Sequence, residues 1–268
     1  MRIPLFQVDA FTSRLFGGNP AAVCPLNAWL PDATLQSIAA ENNLAETAFF
    51  VPRDDDFDLR WFTPTIEMDL CGHATLAAAF VLFCQRNFAG NAIAFHSRSG
   101  ILRVTRDGEI LTLDFPSRPP QPCDAPEALV HGLGAKPDSV LKSRDYFAVF
   151  KTAAEVRALR ADFAALKTLD CLGIIATAPG EDCDFVSRFF APQAGVDEDP
   201  VTDSAHCTLI PYWSQRLGKT KLFARQISQR GGELFCELAG DRVHIGGKAV
   251  LYLRGEIVLD DTSPIHEK

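Results

Sequence analysis

The sequence predicts an α+β fold of two pseudo-symmetric half-domains, each with strands wrapped around one central helix. Three observations carry that prediction. At 268 residues the chain suits two domains of about 100–150 residues each. The chain is also written twice: the segment 56–64 aligns with 184–192 at a shift of 128, with five of nine positions identical. Finally, the stretch His73-Ala74-Thr75-Leu76-Ala77-Ala78-Ala79-Phe80-Val81-Leu82-Phe83 is apolar on every face, so a helix there has to be buried all round.

A second match supports the duplication. Arg98-Ser99-Gly100-Ile101-Leu102 meets Arg230-Gly231-Gly232-Glu233-Leu234 at a shift of 132, and downstream Gly108, Leu111 and Leu113 meet Gly240, Val243 and Ile245. Each half then follows one plan. A strand bearing Arg and aromatics ends at Pro64 or Pro192, an irregular stretch follows, and a helix comes next. The helix runs from Gly72 to Arg86 in the first half and roughly from Ser204 to Leu217 in the second, where Pro211 predicts a kink or an early break. A hairpin closes each unit, turning at Asp107-Gly108 and at Gly240-Asp241.

The remaining elements fit around this repeat. The N-terminal residues 1–9 read as a strand, and a Gly17-Gly18-Asn19-Pro20 turn follows. A helical segment from Asp32 to Ala40 gives way to a strand near Glu46. The stretch Phe115-Pro116-Ser117-Arg118-Pro119-Pro120-Gln121-Pro122 is too rich in proline for a helix or a central strand, which makes it the linker. It predicts half-domains of 1–118 and 119–268, with the last strand free to pack on the first. Beyond it, Ala125–Leu133 and Ala153–Leu166 have helical spacing and composition.

Composition narrows the function. Apolar residues make up 47% and charged residues 22%, ordinary for a globular chain. A net charge of −8, with Lys and Arg scattered, argues against a nucleic-acid partner. The longest apolar stretch, from Ala74 to Cys84, is about half a membrane span, and the N-terminus lacks the apolar core and cleavage site of a secretion signal. None of the eight cysteines lies in a CxxC pair. The expectation is a reduced, cytoplasmic chain with no metal site and no membrane partner.

Polar residues at the helix entrances are the candidates for chemistry. Cys71-Gly72-His73 opens the first helix, and Asp199-Pro200-Val201-Thr202-Asp203-Ser204 stands in the equivalent place, with Asp199 opposite Cys71. A helix N-terminus presents unpaired N–H groups and partial positive charge, so two of them facing across a cleft would grip an acid. Gly72 allows backbone to approach a ligand. The plainer reading is that Asp199, Thr202 or Ser204 caps its helix and that His73 is a satisfied polar residue. Glu46, in Asn42-Asn43-Leu44-Ala45-Glu46-Thr47-Ala48-Phe49-Phe50-Val51, is a surface glutamate or a carboxylate made more basic by desolvation.

Together these segments resemble the PhzF family, the phenazine-biosynthesis-like isomerases related in fold to diaminopimelate epimerase. The resemblance runs through Val8-Asp9-Ala10-Phe11-Thr12, Gly17-Gly18-Asn19-Pro20-Ala21-Ala22-Val23, Asn43-Leu44-Ala45-Glu46-Thr47-Ala48-Phe49, Cys71-Gly72-His73-Ala74-Thr75-Leu76-Ala77 and Glu198-Asp199-Pro200-Val201-Thr202-Asp203-Ser204-Ala205-His206. It implies mostly antiparallel half-domain sheets, a cleft that closes on a small-molecule substrate, a homodimer, and neither cofactor nor metal. Its best-understood member shifts a proton between ring carbons of a dihydro-hydroxyanthranilate. By motif position, Glu46 is then the proton carrier, His73 and Asp199 act beside it in catalysis, and Ser204 contacts substrate; Asn19, Gly72 and Asp203, which lie within the same segments, are the further candidate substrate contacts.

Two departures bear on the substrate. Ala45 stands where the family commonly has Ser, and Asp203 where it commonly has Gly. An acid at a carboxylate-binding helix terminus repels an anion unless it points away or pairs with a cation, so both changes argue against the dihydro-hydroxyanthranilate itself. Two rival readings remain. One is a racemase or epimerase with opposed thiols, in which Cys71 suits one position while Asp199 occupies the other. The second is a binding protein that kept the cleft and lost catalysis.

Overall fold

A computed structural model, which describes residues 1–260, divides the chain into two units: Met1–Asp114 with the segment that begins at Gly247, and Phe115–Gly246. The boundary therefore falls at 114/115, where the proline-rich stretch had suggested 118/119, and the C-terminal strand groups with the first unit. The tail at 261–268, counted in the expected second half-domain, lies outside the described residues.

In the first unit, β1 (Arg2–Ala10) and β2 (Asn19–Pro25) are antiparallel. Helix α1 (Asp32–Asn42) carries the chain to β3 (Glu46–Arg53), parallel to β2. Strand β4 (Asp56–Phe62) folds back on β3 and pairs with the two-residue β5 (Glu67–Met68). Helix α2 (Gly72–Phe80) leads through a π-helical turn, Val81–Gln85, to β6 (Ala92–Ser97), which lies parallel to β4. Two antiparallel hairpins follow, with β7 (Gly100–Asp107) and β8 (Ile110–Pro116).

Strand β3 shows how the sequence sets these layers. Its run from Thr47 to Val51 is buried throughout because both faces are covered. Phe49 and Val51 pack with Leu35, Ile38 and Ala39 of α1 on one face. Side chains alternate along a strand, so Glu46, Ala48 and Phe50 point to the other face, toward α2. That helix is buried on all sides from Gly72 to Ala79, as its uniform apolarity requires. The expected helix to Arg86 ends as α-helix at Phe80 and winds on as the wider π turn.

The second unit repeats this order. It contains β9 (Gln121–Pro122), α3 (Glu127–Leu133), β10 (Ser139–Lys142), β11 (Tyr146–Val149), α4 (Ala153–Ala158), α5 (Phe163–Leu166), β12 (Ile174–Pro179) and β13 (Phe185–Ala191). After a 3-10 turn at Pro192–Ala194 come β14 (Val196–Asp199), α6 (Asp203–Leu217), β15 (Lys221–Gln226), β16 (Gly232–Ala239) and β17 (Arg242–Gly247). Strands β10 and β11 are antiparallel, β11 and β12 parallel, and β12 and β13 antiparallel. Strand β13 pairs with short β14 and, in parallel, with β15, while β15, β16 and β17 form two hairpins. Strand for strand, β10 to β17 reproduce the senses of β1 to β8. The last strand, β18 (Ala249–Val258), is antiparallel to β1, as β9 is to β10. The pairing follows the expected class, α+β with mostly antiparallel sheets and one buried helix per half.

The duplication reaches side chains. Arg60 of β4 forks onto Glu67 with contacts of 2.7 and 2.8 Å and lies 5.1 Å from the Phe62 ring centroid. Arg188 of β13 forks onto Glu198 at 2.7 and 2.8 Å and lies 4.9 Å from the Phe190 ring centroid. Both pairs tie corresponding strands, β4 and β13, to the segment that leads into the central helix of the unit. The hairpin glycines, Gly108 and Gly240, both take positive φ, 58° and 66°.

Two local expectations are corrected. Helix α6 runs through Pro211 to Leu217 without breaking. Proline cannot donate to the Cys207 carbonyl, but the Arg118 N–H donates to it at 2.8 Å and satisfies the acceptor the proline abandons. The helix expected over Ala153–Leu166 is two short helices. Leu159 is extended at ψ 134°, the Arg188 guanidinium takes up the Val156 and Leu159 carbonyls, and Asp162 caps α5 through the Ala164 and Ala165 N–H groups.

Candidate active site

Because Glu46 shares a strand face with Ala48 and Phe50, its carboxylate reaches the entrance of α2. There Oε2 lies 3.0 Å from His73 Nε2, and the two side chains are only 15% and 6% exposed. On the other side of the ring, Nδ1 lies 3.5 Å from the Cys71 sulfur. His73 thus bridges a carboxylate and a thiol. Burial disfavours the imidazolium, but the charge and hydrogen bonding of Cys71 and Glu46 outweigh it and hold the histidine well above its usual value. Glu46 does not stand in a purely apolar setting, as its neighbours in sequence suggested; it faces a ring that favours the cation.

Gly72, between Cys71 and His73, is buried with them at the start of α2. Asn19 opens β2 opposite Ala10 and is fully buried. Its neighbour Gly18 has φ 61°, and a Cβ there would sit 2.0 Å from the Ala10 carbonyl oxygen, so this turn requires glycine.

Glu46, Cys71 and His73 each offer a donor atom within 4.8 Å of the others. Such an O, S, N set suits a borderline-soft cation such as zinc. The residues implied in proton transfer are therefore also ones that a metal could use.

The second unit gathers Asp199, Asp203 and Ser204 at the entrance of α6. Thr202 takes the N-cap position, yet its hydroxyl makes no capping hydrogen bond; it donates to the Asp199 carboxylate instead. Gln226, at the end of β15, fixes this turn from below. Its amide accepts from the Thr202 N–H at 2.9 Å and donates to the Asp199 carbonyl at 2.7 Å and the Thr202 hydroxyl at 3.1 Å. Asp203 is buried as the first residue of α6, and Ser204 follows, half-buried. Arg144, in the turn between β10 and β11, reaches the Ser204 hydroxyl at 3.1 Å.

The structure thus brings Glu46, Gly72 and His73 together in the first unit and Asp199, Asp203 and Ser204 together in the second. Gln226, Arg144 and its neighbour Asp145, a buried carboxylate to which Arg144 donates at 2.7 Å, were not foreseen. Gln226 ends a strand and the other two sit in a turn, where neither periodicity nor a motif distinguishes them.

The model of the PhzC-PhzF family, phenazine biosynthesis-like protein, matches residues 8–255. The chain belongs to that family. It is 54% identical over 259 residues to an uncharacterized isomerase of Pseudomonas aeruginosa, covering 97% of this chain and 100% of the relative. Among solved structures, a PhzF-family phenazine biosynthesis protein of Enterococcus faecalis superposes with a TM-score of 0.95 at 49% identity, over 97% of this chain and 100% of the other. A hydroxyproline epimerase of Agrobacterium vitis shares the fold, with a TM-score of 0.63 at 12% identity, covering 97% and 94% of the two chains. This PhzC-PhzF protein is an isomerase, in keeping with its relatives. Among the described residues, no helix is long and apolar enough to cross a membrane.

Proposed function

We propose that this isomerase moves a proton between carbons of a small, carboxylate-bearing metabolite, without a cofactor, and that Glu46 carries the proton. The observation behind this reading is the 3.0 Å contact between Glu46 Oε2 and His73 Nε2 at the buried start of α2. Glu46 takes a proton from a substrate carbon and becomes a carboxylic acid, leaving the electron pair delocalised over the conjugated skeleton. The Glu46 acid exchanges its proton with solvent and delivers one to a different carbon, which regenerates the carboxylate. His73, held toward its cationic form, places positive charge where negative charge develops. Asp199 acts with it, while Asn19, Gly72, Asp203 and Ser204 bind and orient the substrate.

The test is a screen of small carboxylic acids for deuterium incorporated from D2O at carbon. Glu46→Gln is expected to bind the responding acid and to lose exchange by about a hundredfold or more. Near-normal exchange in that variant would end the proposal.

The opposed-thiol racemase fares worse. Position 199, opposite Cys71 in the repeat, carries a carboxylate. Cys207, the nearest thiol in α6, is buried and its pKa is pushed up to about 12, chiefly by desolvation. The homodimer remains part of the proposal, carried by the family resemblance, and so does the cytoplasmic location, carried by cysteines that form no CxxC pair.

A further inference from the structure

We propose that Arg144 is a specificity-determining residue, which selects a carboxylate on the substrate by presenting the free Nη1 of a fixed guanidinium beside the Ser204 hydroxyl. The inference deepens the isomerase reading and rests on its assignment of Ser204 to substrate binding.

The argument begins with Asp145. This carboxylate is only 2% exposed, a placement that is costly unless donors satisfy it. Three groups do so. Arg144 donates from Nε at 3.1 Å and from Nη2 at 2.7 Å, and the Gly173 N–H donates at 3.1 Å. The consequence for Arg144 is that its fork is held in one orientation by a buried anchor. Nη2 continues to the Ser204 hydroxyl at 3.1 Å, while Nη1 has no protein partner among the described residues and the side chain remains about one-third exposed. Nη1 thus offers one charge-assisted hydrogen bond to a carboxylate oxygen, and the Ser204 hydroxyl, which accepts from Nη2, is free to donate to the other. A guanidinium already fixed loses little entropy on binding.

Two further observations agree. The acid at position 203 is expected to repel an anion from the α6 entrance. Arg144 and Arg118 are close enough for their charges to act on the Cys207 thiol together with that of Asp203, so cations share the neighbourhood of that acid. The turn between β10 and β11 is also the second-unit counterpart of the turn between β1 and β2, which carries Gly17 and Gly18 and leads into Asn19 at the start of β2. The same place in the duplicated plan thus supplies a candidate substrate contact in each half.

The test compares acids with their amides. Wild type, Arg144→Gln and Arg144→Lys are titrated by ligand-observed NMR with benzoate, fumarate and L-proline and with the corresponding amides. Wild type is expected to bind at least one acid about tenfold or more tighter than its amide. Arg144→Gln should bind that acid and amide equally, with the amide affinity unchanged, and Arg144→Lys should recover part of the preference. An undiminished preference in Arg144→Gln overturns the proposal, as does a wild type that prefers no acid. If Arg144→Gln does not fold, Arg144→Lys decides, because it keeps a cation against Asp145 but loses the fork; an undiminished preference there is equally fatal. The readout requires no turnover, so Glu46→Gln should show the wild-type preference. Absence of Glu46-dependent exchange with that preference intact counts against the isomerase reading alone.

Discussion

Acid should destabilise the second unit through His206, and by an amount the structure allows to be worked out. The imidazole is fully buried in α6, with Nδ1 2.7 Å from the Thr202 carbonyl. A carbonyl only accepts, so Nδ1 carries the proton of the neutral ring. Nε2 is buried with no hydrogen-bond partner among the described residues, and a second proton there would be an unsatisfied charge. Desolvation accordingly lowers the pKa to about 4. The unfolded chain takes up a proton near the ordinary value of about 6.5, so between these values the unfolded state binds more protons and stability falls as pH falls. Linkage gives a loss of about 2 kcal/mol between pH 7 and pH 5. Urea unfolding of wild type and of His206→Asn, which does not titrate, at both pH values isolates this contribution. Whatever packing the substitution costs is present at both pH values and cancels in the comparison. Wild type should lose about 2 kcal/mol more than the variant. Equal losses, or an NMR titration of His206 near its ordinary value, would refute the reasoning.

His73 should behave in the opposite sense. Its value is raised, so its contribution is fully present below the unfolded pKa and is lost as pH climbs through the folded one. Cys71→Ala should lower the His73 pKa followed by NMR, because the thiol is one of the two groups that favour the imidazolium; an unchanged value would contradict the bridge. Arg188→Met strips Glu198 of its fork and frees two carbonyls, and should cost about 3 kcal/mol in urea unfolding. Arg188→Met with Glu198→Met should cost less than the single change, since no half-buried carboxylate is left without its partner; a double variant weaker than the single would contradict this. Gly18→Ala should destabilise the first unit by more than about 1 kcal/mol, through both its positive φ and the clash with the Ala10 carbonyl, and a neutral melting temperature would contradict that.

Much of this fold could be read from the repeat alone. The alignment of Arg60 with Arg188 located a strand in each half, and the apolar run after His73 located a buried helix. What the repeat missed were features decided by contacts far away in sequence. The Arg118 N–H that rescues Pro211 lies 89 residues before the Cys207 carbonyl's helix position, and no local pattern announces such a donor. The break at Leu159 likewise depends on Arg188. At the site, sequence position nominated Glu46 and His73 separately. Their meeting follows from strand parity: Glu46 lies on the even face of β3, which α2 covers. Gln226 and Asp145 act by holding other polar groups, a role that leaves no trace in composition or spacing.

The place of β18 has a consequence for the order in which the protein is made. Strands β9 to β17 of the second unit lie in one uninterrupted stretch of chain, whereas β1 in the first unit waits for a partner made more than two hundred residues later. During synthesis the second unit has all its strands while one flank of β1 is still open to any other extended segment. A chain released after Gly247 would therefore hold every strand of the second unit and a first unit whose earliest strand is only half paired.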